Sequence, residues 1–88
     1  MQTLDIGSYL IVKTANLPPY ASIVPAVIVS RLNPQFPFET KRRVGDYSVE
    51  TAHLDIVGPK RTEHVAYCAT LEEAMQLAET TPLPAQLP

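Results

Sequence analysis

Residues 64–80 constrain the fold of this chain more than any other stretch, because they have the pattern of a short strand that leads directly into a capped helix. Thr70 stands three residues before Glu73, which is the spacing of a capping box. In that motif the threonine hydroxyl accepts a hydrogen bond from the Glu73 N–H, and the carboxylate reaches back to the Thr70 N–H. Apolar residues then recur at the spacing of one helix face, at Leu71, Ala74, Met75 and Ala78. A helix of about ten residues is marginal by itself in water, so we expect it to pack against a sheet.

The chain before this helix contains four segments with the composition and alternation of β-strands, at residues 8–15, 26–32, 47–57 and 62–68. The second segment is apolar on both faces at its start, which is typical of a central strand. Residues 58–61 have the composition of a tight turn, with Pro59 at its second position. Strands that follow one another through short connections are usually antiparallel neighbours. We therefore predict an α+β fold of the order ββββα, a four-stranded antiparallel meander with one C-terminal helix packed on one face.

The 88 residues are enough for one small domain, which we place at residues 1–80, followed by a proline-rich tail at 81–88. A net charge of −2 disfavours a general nucleic-acid binder. The single cysteine, Cys68, excludes an internal disulfide and fits a reducing compartment, so we predict a cytoplasmic protein. The first ten residues lack the basic start of a signal peptide, and prolines interrupt the uncharged stretch 14–30, so no membrane partner is expected.

The last predicted hairpin brings several chemically active side chains together. If residues 59–60 are the central residues of its turn, Asp55 lies directly opposite His64, with His53 diagonal to this pair and Cys68 further along the same face. Two histidines and an aspartate suit zinc or a general base, and a thiol beside a histidine suits a nucleophile. A cross-strand Asp–His pair needs no function, however, so we predict no catalytic residue, metal or cofactor and keep these residues as an alternative. The opposite face would then form the core, with Ala52, Leu54, Ile56, Val65 and Tyr67.

Residues 33–46 form the longest stretch without a regular pattern, and loops of this length in small domains are often functional. Phe36 and Phe38 flank a proline there, so they are held stiffly and would lose little entropy in an interface. The alternative is that the two rings cap the core. With the basic residues that follow, we predict a partner-binding surface of Phe36, Phe38, Lys41, Arg42 and Arg43.

The sequence lacks the glycine-rich phosphate loop and the zinc-protease and hydrolase signatures. We therefore expect not an enzyme but a small protein-interaction module, an inhibitor or adaptor that docks on a larger protein through loop 33–46 and a sheet edge. Residues 41–43 with Lys60 and Arg61 are the basis of a nucleic-acid-binding alternative, although they flank opposite ends of a long strand among acidic residues. An open sheet also has two free edges, so a homodimer through one edge is a further alternative.

Overall fold

A computed structural model of the chain describes residues 3–15, 23–32 and 45–85. In chain order it contains the strands β1 (Tyr9–Thr14), β2 (Val24–Arg31), β3 (Tyr47–Leu54) and β4 (Pro59–Cys68), and the helix α1 (Leu71–Thr80). The four strands form one antiparallel sheet in the order β1-β2-β3-β4, and α1 packs on it. The predicted α+β meander with a C-terminal helix is therefore confirmed. The described part of the chain includes no helix that is long and apolar enough to cross a membrane.

Helix α1 begins at the predicted cap. Thr70 has an extended backbone, and its hydroxyl accepts a hydrogen bond from the Glu73 N–H at 3.2 Å. Two glutamates in the first turn place negative charge where the helix dipole favours it. At the other end, the Lys13 ammonium donates to the carbonyl oxygen of Glu79 at 2.9 Å, so a cation from β1 satisfies one of the unpaired carbonyls of the last turn. Both ends of this short helix are therefore stabilised by hydrogen bonds, at the start from within the helix and at the end from β1.

The helix covers one side of the sheet, which we call the helix face. Its core combines strand residues with small residues of α1, because alanine lets the helix backbone approach the sheet closely. Val27 and Val29 of β2 alternate with residues on the other side, as the two-residue period of a strand requires. The buried cluster consists of Val27, Val29, Val49, Cys68, Leu71, Ala74 and Ala78.

The opposite side of the sheet, the second face, has a smaller core of its own. Ala26, Ile28 and Ala52 are buried there, and Leu54 packs against them. The phenolic oxygen of Tyr9 on β1 lies 3.9 Å from the position that a Cβ atom would take at Gly58, beyond the far end of β3. Because neighbouring strands are about 4.8 Å apart, this approach across the sheet requires the sheet to curl around its second face. The predicted central position of β2, apolar on both sides, is confirmed by this arrangement.

The turn between β3 and β4 lies earlier than the sequence predicts. It comprises residues 55–58, Leu54 pairs directly with Pro59, and β3 ends three residues before the predicted position. The cause is the Asp55 carboxylate, which accepts hydrogen bonds from the backbone N–H groups of Val57 at 2.7 Å and Gly58 at 3.1 Å. An aspartate that bonds the backbone two residues ahead replaces a backbone turn. Pro59, which we predicted inside the turn, is the first residue of β4.

Strand β4 departs from regular pairing at two points. Val49 pairs with Ala66 and Glu50 with His64, so Val65 is an extra residue on β4. A second irregularity lies opposite Ala52, where Arg61 has a φ of 51°. Each bulge adds one residue to the strand, so every residue beyond it lies on the opposite face from the one that regular alternation predicts.

These bulges overturn the predicted distribution of residues between the faces. His64 lies on the second face, whereas Cys68 belongs to the core of the helix face. Among the five predicted core residues, Ile56 and Val65 are exposed. Ala52 and Leu54 pack in a core as predicted, but on the face away from the helix.

Candidate functional site

The predicted partner-binding surface of Phe36, Phe38, Lys41, Arg42 and Arg43 lies outside the described residues. The other predicted basic pair, Lys60 and Arg61, is described and stands at the start of β4. The Lys60 ammonium lies 3.7 Å from the Asp55 carboxylate, so its charge is partly balanced within the hairpin.

The metal and thiol candidates do not come together. His53 pairs with Lys60 near the turn, Asp55 is held by its own turn, and His64 faces Glu50 across the sheet. Cys68 lies at the opposite end of β4, where it pairs with Tyr47. The predicted Asp55–His64 pair is therefore wrong, because the earlier turn and the bulge at Arg61 change the register and place His64 opposite Glu50. In residues 3–15, 23–32 and 45–85, no three histidine, cysteine, aspartate or glutamate residues lie close enough to hold a metal ion.

The thiol of Cys68 is enclosed by the helix-face core and is only 9% exposed. Its burial, and after that the negative charge of Glu73, raise the pKa of the Cys68 thiol above its ordinary value of 9.0. A reactive cysteine needs the opposite, an accessible sulfur with a lowered pKa. Cys68 is therefore suited to packing rather than to nucleophilic chemistry.

We expect iodoacetamide to alkylate Cys68 slowly in the folded protein at neutral pH and rapidly in urea, because folding both buries the sulfur and keeps it protonated. Mass spectrometry of quenched time points measures both rates. Equal rates in the folded and unfolded protein would contradict the burial of Cys68 and restore the thiol-site alternative.

The carboxylate of Asp55 acts as a structural group. The hydrogen bond from the Val57 N–H lowers the pKa of Asp55 below its ordinary value of 3.8, with smaller contributions in the same direction from the Gly58 N–H and Lys60. Desolvation acts in the opposite direction and only partly offsets them. Because the folded pKa is lower than the unfolded pKa, the ionised form contributes stability above pH 3.8 that is lost as the pH falls through the folded pKa.

Replacing Asp55 by asparagine should therefore change how stability depends on pH. Asparagine keeps the oxygen that accepts both turn hydrogen bonds but cannot ionise. We expect the difference in unfolding free energy between wild type and Asp55→Asn to be constant between about pH 5 and 7 and to shrink below about pH 4. Urea titrations at several pH values measure it, and a difference that grows on acidification would contradict the structural role of the ionised carboxylate.

A serine–histidine pair that the sequence did not reveal lies on the second face. The Ser48 hydroxyl is 2.9 Å from His64 Nδ1, and the His64 ring stacks against Tyr67 with centroids 4.2 Å apart. Ser48 is only 2% exposed, so its oxygen is not accessible to a substrate. The pair satisfies a buried hydroxyl and orders the surface of β4. The early turn and the bulge at Arg61 place His64 diagonal to Ser48, and the extra residue at Val65 brings Tyr67 to the same face, which is why simple alternation missed this cluster.

A groove of about 480 Å³ lies on the helix face beyond the end of α1. Its strand side is formed by Thr51, His53, Arg61 and Glu63, and its other wall is segment 82–85, which has no regular secondary structure. The His53 Nε2–H donates to the carbonyl oxygen of Ala85 at 2.8 Å and so fastens this segment to β3. His53 Nδ1 is buried and has no hydrogen-bond partner among the residues that the structure describes.

Two charged side chains, those of Arg61 and Glu63, face this groove. In the described part of the chain, neither Arg61 nor Glu63 makes an ion pair or a side-chain hydrogen bond, and both residues are exposed. The positive φ of Arg61 is unfavourable for any residue with a Cβ atom, by about 1 kcal/mol. Glycine or asparagine is the usual residue in this conformation. The groove thus contains an arginine at a position where local structure alone favours a different residue.

The turn beside the groove exposes two apolar side chains, Ile56 and Val57, which we call the tip. Their exposures are 101% and 80% of the values for an isolated residue. Tight turns usually carry glycine, asparagine, aspartate or serine at such positions. The Asp55 hydrogen bonds hold the backbone of the turn that carries the tip.

The tip and the groove are neighbours along the hairpin, because Arg61 follows the turn by three residues and His53 precedes it by two. Neither was predicted, since the sequence pattern assigned Ile56 to a buried strand and residues 81–88 to a proline-rich tail. The motif Asp55-x-x-Gly58 was the available signal for the turn. Comparison of the chain with protein-family models, with curated proteins and with solved structures gave no match.

Proposed function

We propose that this chain is a small, non-enzymatic interaction module that docks on a larger protein and acts as an inhibitor or an adaptor. The observation that carries the proposal is the tip, where two β-branched apolar side chains stand almost fully exposed on a turn fixed by Asp55. Burial of an isoleucine or valine side chain contributes about 1.5–3 kcal/mol. A partner that encloses both residues would gain a contribution of this kind from each.

The rigidity of the turn supports the same conclusion. Binding normally costs the entropy of ordering loops and side chains at the interface. The turn is already ordered by the hydrogen bonds to Asp55, and β-branched side chains have few rotamers to lose. Most of the free energy of burying Ile56 and Val57 would therefore remain available for affinity.

Strand β4 supports docking through side chains rather than through its backbone. It is an outer strand, but the irregularities at Arg61 and Val65 interrupt its ladder. Bulges and charged residues are the features by which edge strands avoid pairing with other chains. They make a homodimer by continuous pairing along β4 less favourable than docking on another protein.

The proposal keeps the predicted loop 33–46 as a second part of the contact and the cytoplasm as the site of action. The buried, unpaired thiol of Cys68 is compatible with a reducing compartment. Phe36, Phe38 and the basic residues 41–43 stay predictions, and they are tested separately from the tip.

The test compares proteins captured from a lysate of the native host by the wild type and by an Ile56→Ser, Val57→Ser variant. Ile6→Ser is the matched control, because Ile6 is also an exposed isoleucine in a turn but lies before β1. We expect the wild type and the Ile6 variant to retain one partner in stoichiometric amount, and the tip variant to lose it. Urea unfolding of all three proteins confirms that folding is unchanged.

Two results would contradict the role of the tip. In the first, the tip variant still retains the partner fully, whereas a variant with alanine at Phe36, Phe38 and Arg42 loses it. The other is the absence of any stoichiometric partner of the wild type. The first would move the contact to loop 33–46, and the second would remove the proposed function itself.

A further inference from the structure

We propose that the groove beside the tip binds an extended peptide segment of mixed charge, whose carboxylate pairs with Arg61 and whose basic group pairs with Glu63. This inference rests on the proposed function and specifies the chemistry of the partner. It uses residues that no sequence pattern singled out as a pair, and it assigns a role to the unusual backbone of Arg61.

The groove exists because the elements above the sheet do not cover all of it. Helix α1 has ten residues and is about 15 Å long, whereas β4, also with ten residues, is about 33 Å long. After the helix, His53 holds the chain against β3 through Ala85, so the first half of β4 is left open beside it. The resulting volume of about 480 Å³ lies within the usual range for binding clefts.

The charges of the groove define the ligand class. A guanidinium group binds a carboxylate through two parallel hydrogen bonds, and a carboxylate pairs with an ammonium or guanidinium group. Arg61 and Glu63 both face the groove and bond to nothing in the described part of the chain. Glu63 would repel a polyanion, which makes nucleic acid a poor occupant. A peptide with neighbouring acidic and basic side chains satisfies both groups.

The other wall of the groove favours a polypeptide over a small ion. It is made of Pro82, Leu83, Pro84 and Ala85, which present apolar groups to the groove. An extended peptide could place an apolar side chain against Leu83 while its polar side chains meet β4. The exposed tip lies next to the groove, so the same partner could cover both surfaces.

The backbone of Arg61 is the second argument for this assignment. Residues held in unfavourable backbone conformations concentrate at binding and catalytic sites. Arg61 has a φ of 51°, and its guanidinium makes no hydrogen bond or ion pair within the described chain. A ligand that binds the guanidinium explains why arginine, rather than glycine, stands there.

The experiment selects peptides from a phage-displayed library of random dodecapeptides on the folded protein. Fluorescence anisotropy then measures the affinity of one labelled peptide. We expect selected peptides to combine acidic, basic and apolar residues, and Arg61→Glu to weaken binding about tenfold or more. In the double variant Arg61→Glu, Glu63→Arg, peptides with acidic and basic residues exchanged should bind better than the original ones.

Arg61→Gly separates binding from folding. It removes the guanidinium and relieves the backbone, so the urea midpoint should rise while the affinity falls about tenfold. Failure to enrich any peptide, peptides that bind Arg61→Glu within twofold of wild type, or binding of a single-stranded RNA oligonucleotide in place of peptides would overturn the inference. Any of these results refutes the groove assignment. If the wild type still captures a partner through the tip, the proposed function stands without the groove.

Discussion

Replacement of Gly45 by alanine is expected to destabilise this domain by about 3 kcal/mol or more, the largest effect of any single methyl group in the described chain. A Cβ atom at this position would overlap the carbonyl carbon and oxygen of Cys68 and would lie 2.7 Å from the Ala69 Cα atom. All three are backbone atoms, so no flexible side chain can move aside. The clash lies where β4 leads into the helix cap. Its relief would require the start of β3 and the end of β4 to move apart.

Urea unfolding followed by circular dichroism measures this effect. At a slope of about 1–3 kcal/mol per molar urea, typical of small domains, the midpoint should fall by about 1 M or more. Gly7→Ala is the matched control, because a Cβ atom at Gly7 would meet nothing within 4 Å and only its φ of 83° opposes the change. We expect a loss of about 1 kcal/mol for the control. Equal, small losses for both variants would contradict the close contact between Gly45 and the chain at Cys68.

Truncation of Leu71 to alanine should give the second largest loss, about 2–4 kcal/mol. Leu71 is the first residue of α1 and is buried in the cluster that joins the helix to β2 and β3. Its removal leaves a cavity at the point where the helix starts. Since small domains are stable by only about 5–15 kcal/mol, such a loss is a large part of the total.

The same substitution at Leu83 provides the control. Leu83 is exposed in the wall of the groove, so Leu83→Ala should cost less than about 1 kcal/mol. Thermal unfolding of the two variants, compared with wild type, measures the contrast. A Leu83 variant as unstable as the Leu71 variant would show that segment 82–85 belongs to the folding core and does not merely border a groove.

The parts of the fold that the sequence predicted correctly depend on short-range signals. The Thr70 cap needs only its spacing from Glu73, and both the start of α1 and its apolar face follow from that stretch. The central position of β2 follows from its continuous apolar run. Each of these signals lies within about ten residues and does not depend on how strands align.

The prediction of the hairpin between β3 and β4 was wrong for the opposite reason. Its register depends on the turn and on two bulges, which the alternation of apolar and polar residues does not reveal. The Asp55 carboxylate stabilises a turn that lies earlier than predicted. The extra residues near Arg61 and at Val65 each exchange the two sheet faces for the later residues of β4. A shift by one residue exchanges the faces of a strand. The predicted metal and thiol sites depended on that register and were lost with it.

The same local events create the surface on which the proposed function depends. The early turn leaves Ile56 and Val57 outside the sheet, where they form the tip. The bulge holds Arg61 in its unusual backbone conformation at the groove. Irregular pairing near binding sites is common because it redirects side chains that a regular strand would alternate.

Hydrogen–deuterium exchange of the protein, free and bound to the partner recovered from its host, tests the proposed docking surface most directly. Binding at the tip and groove should slow exchange of the backbone amides in residues 55–63, while those in the middle of α1 keep their free-state rates. The peptides of residues 71–80 serve as an internal reference in the same experiment. Protection confined to α1 or to residues 33–44, with 55–63 unchanged, would contradict the assignment of the partner to this end of the hairpin.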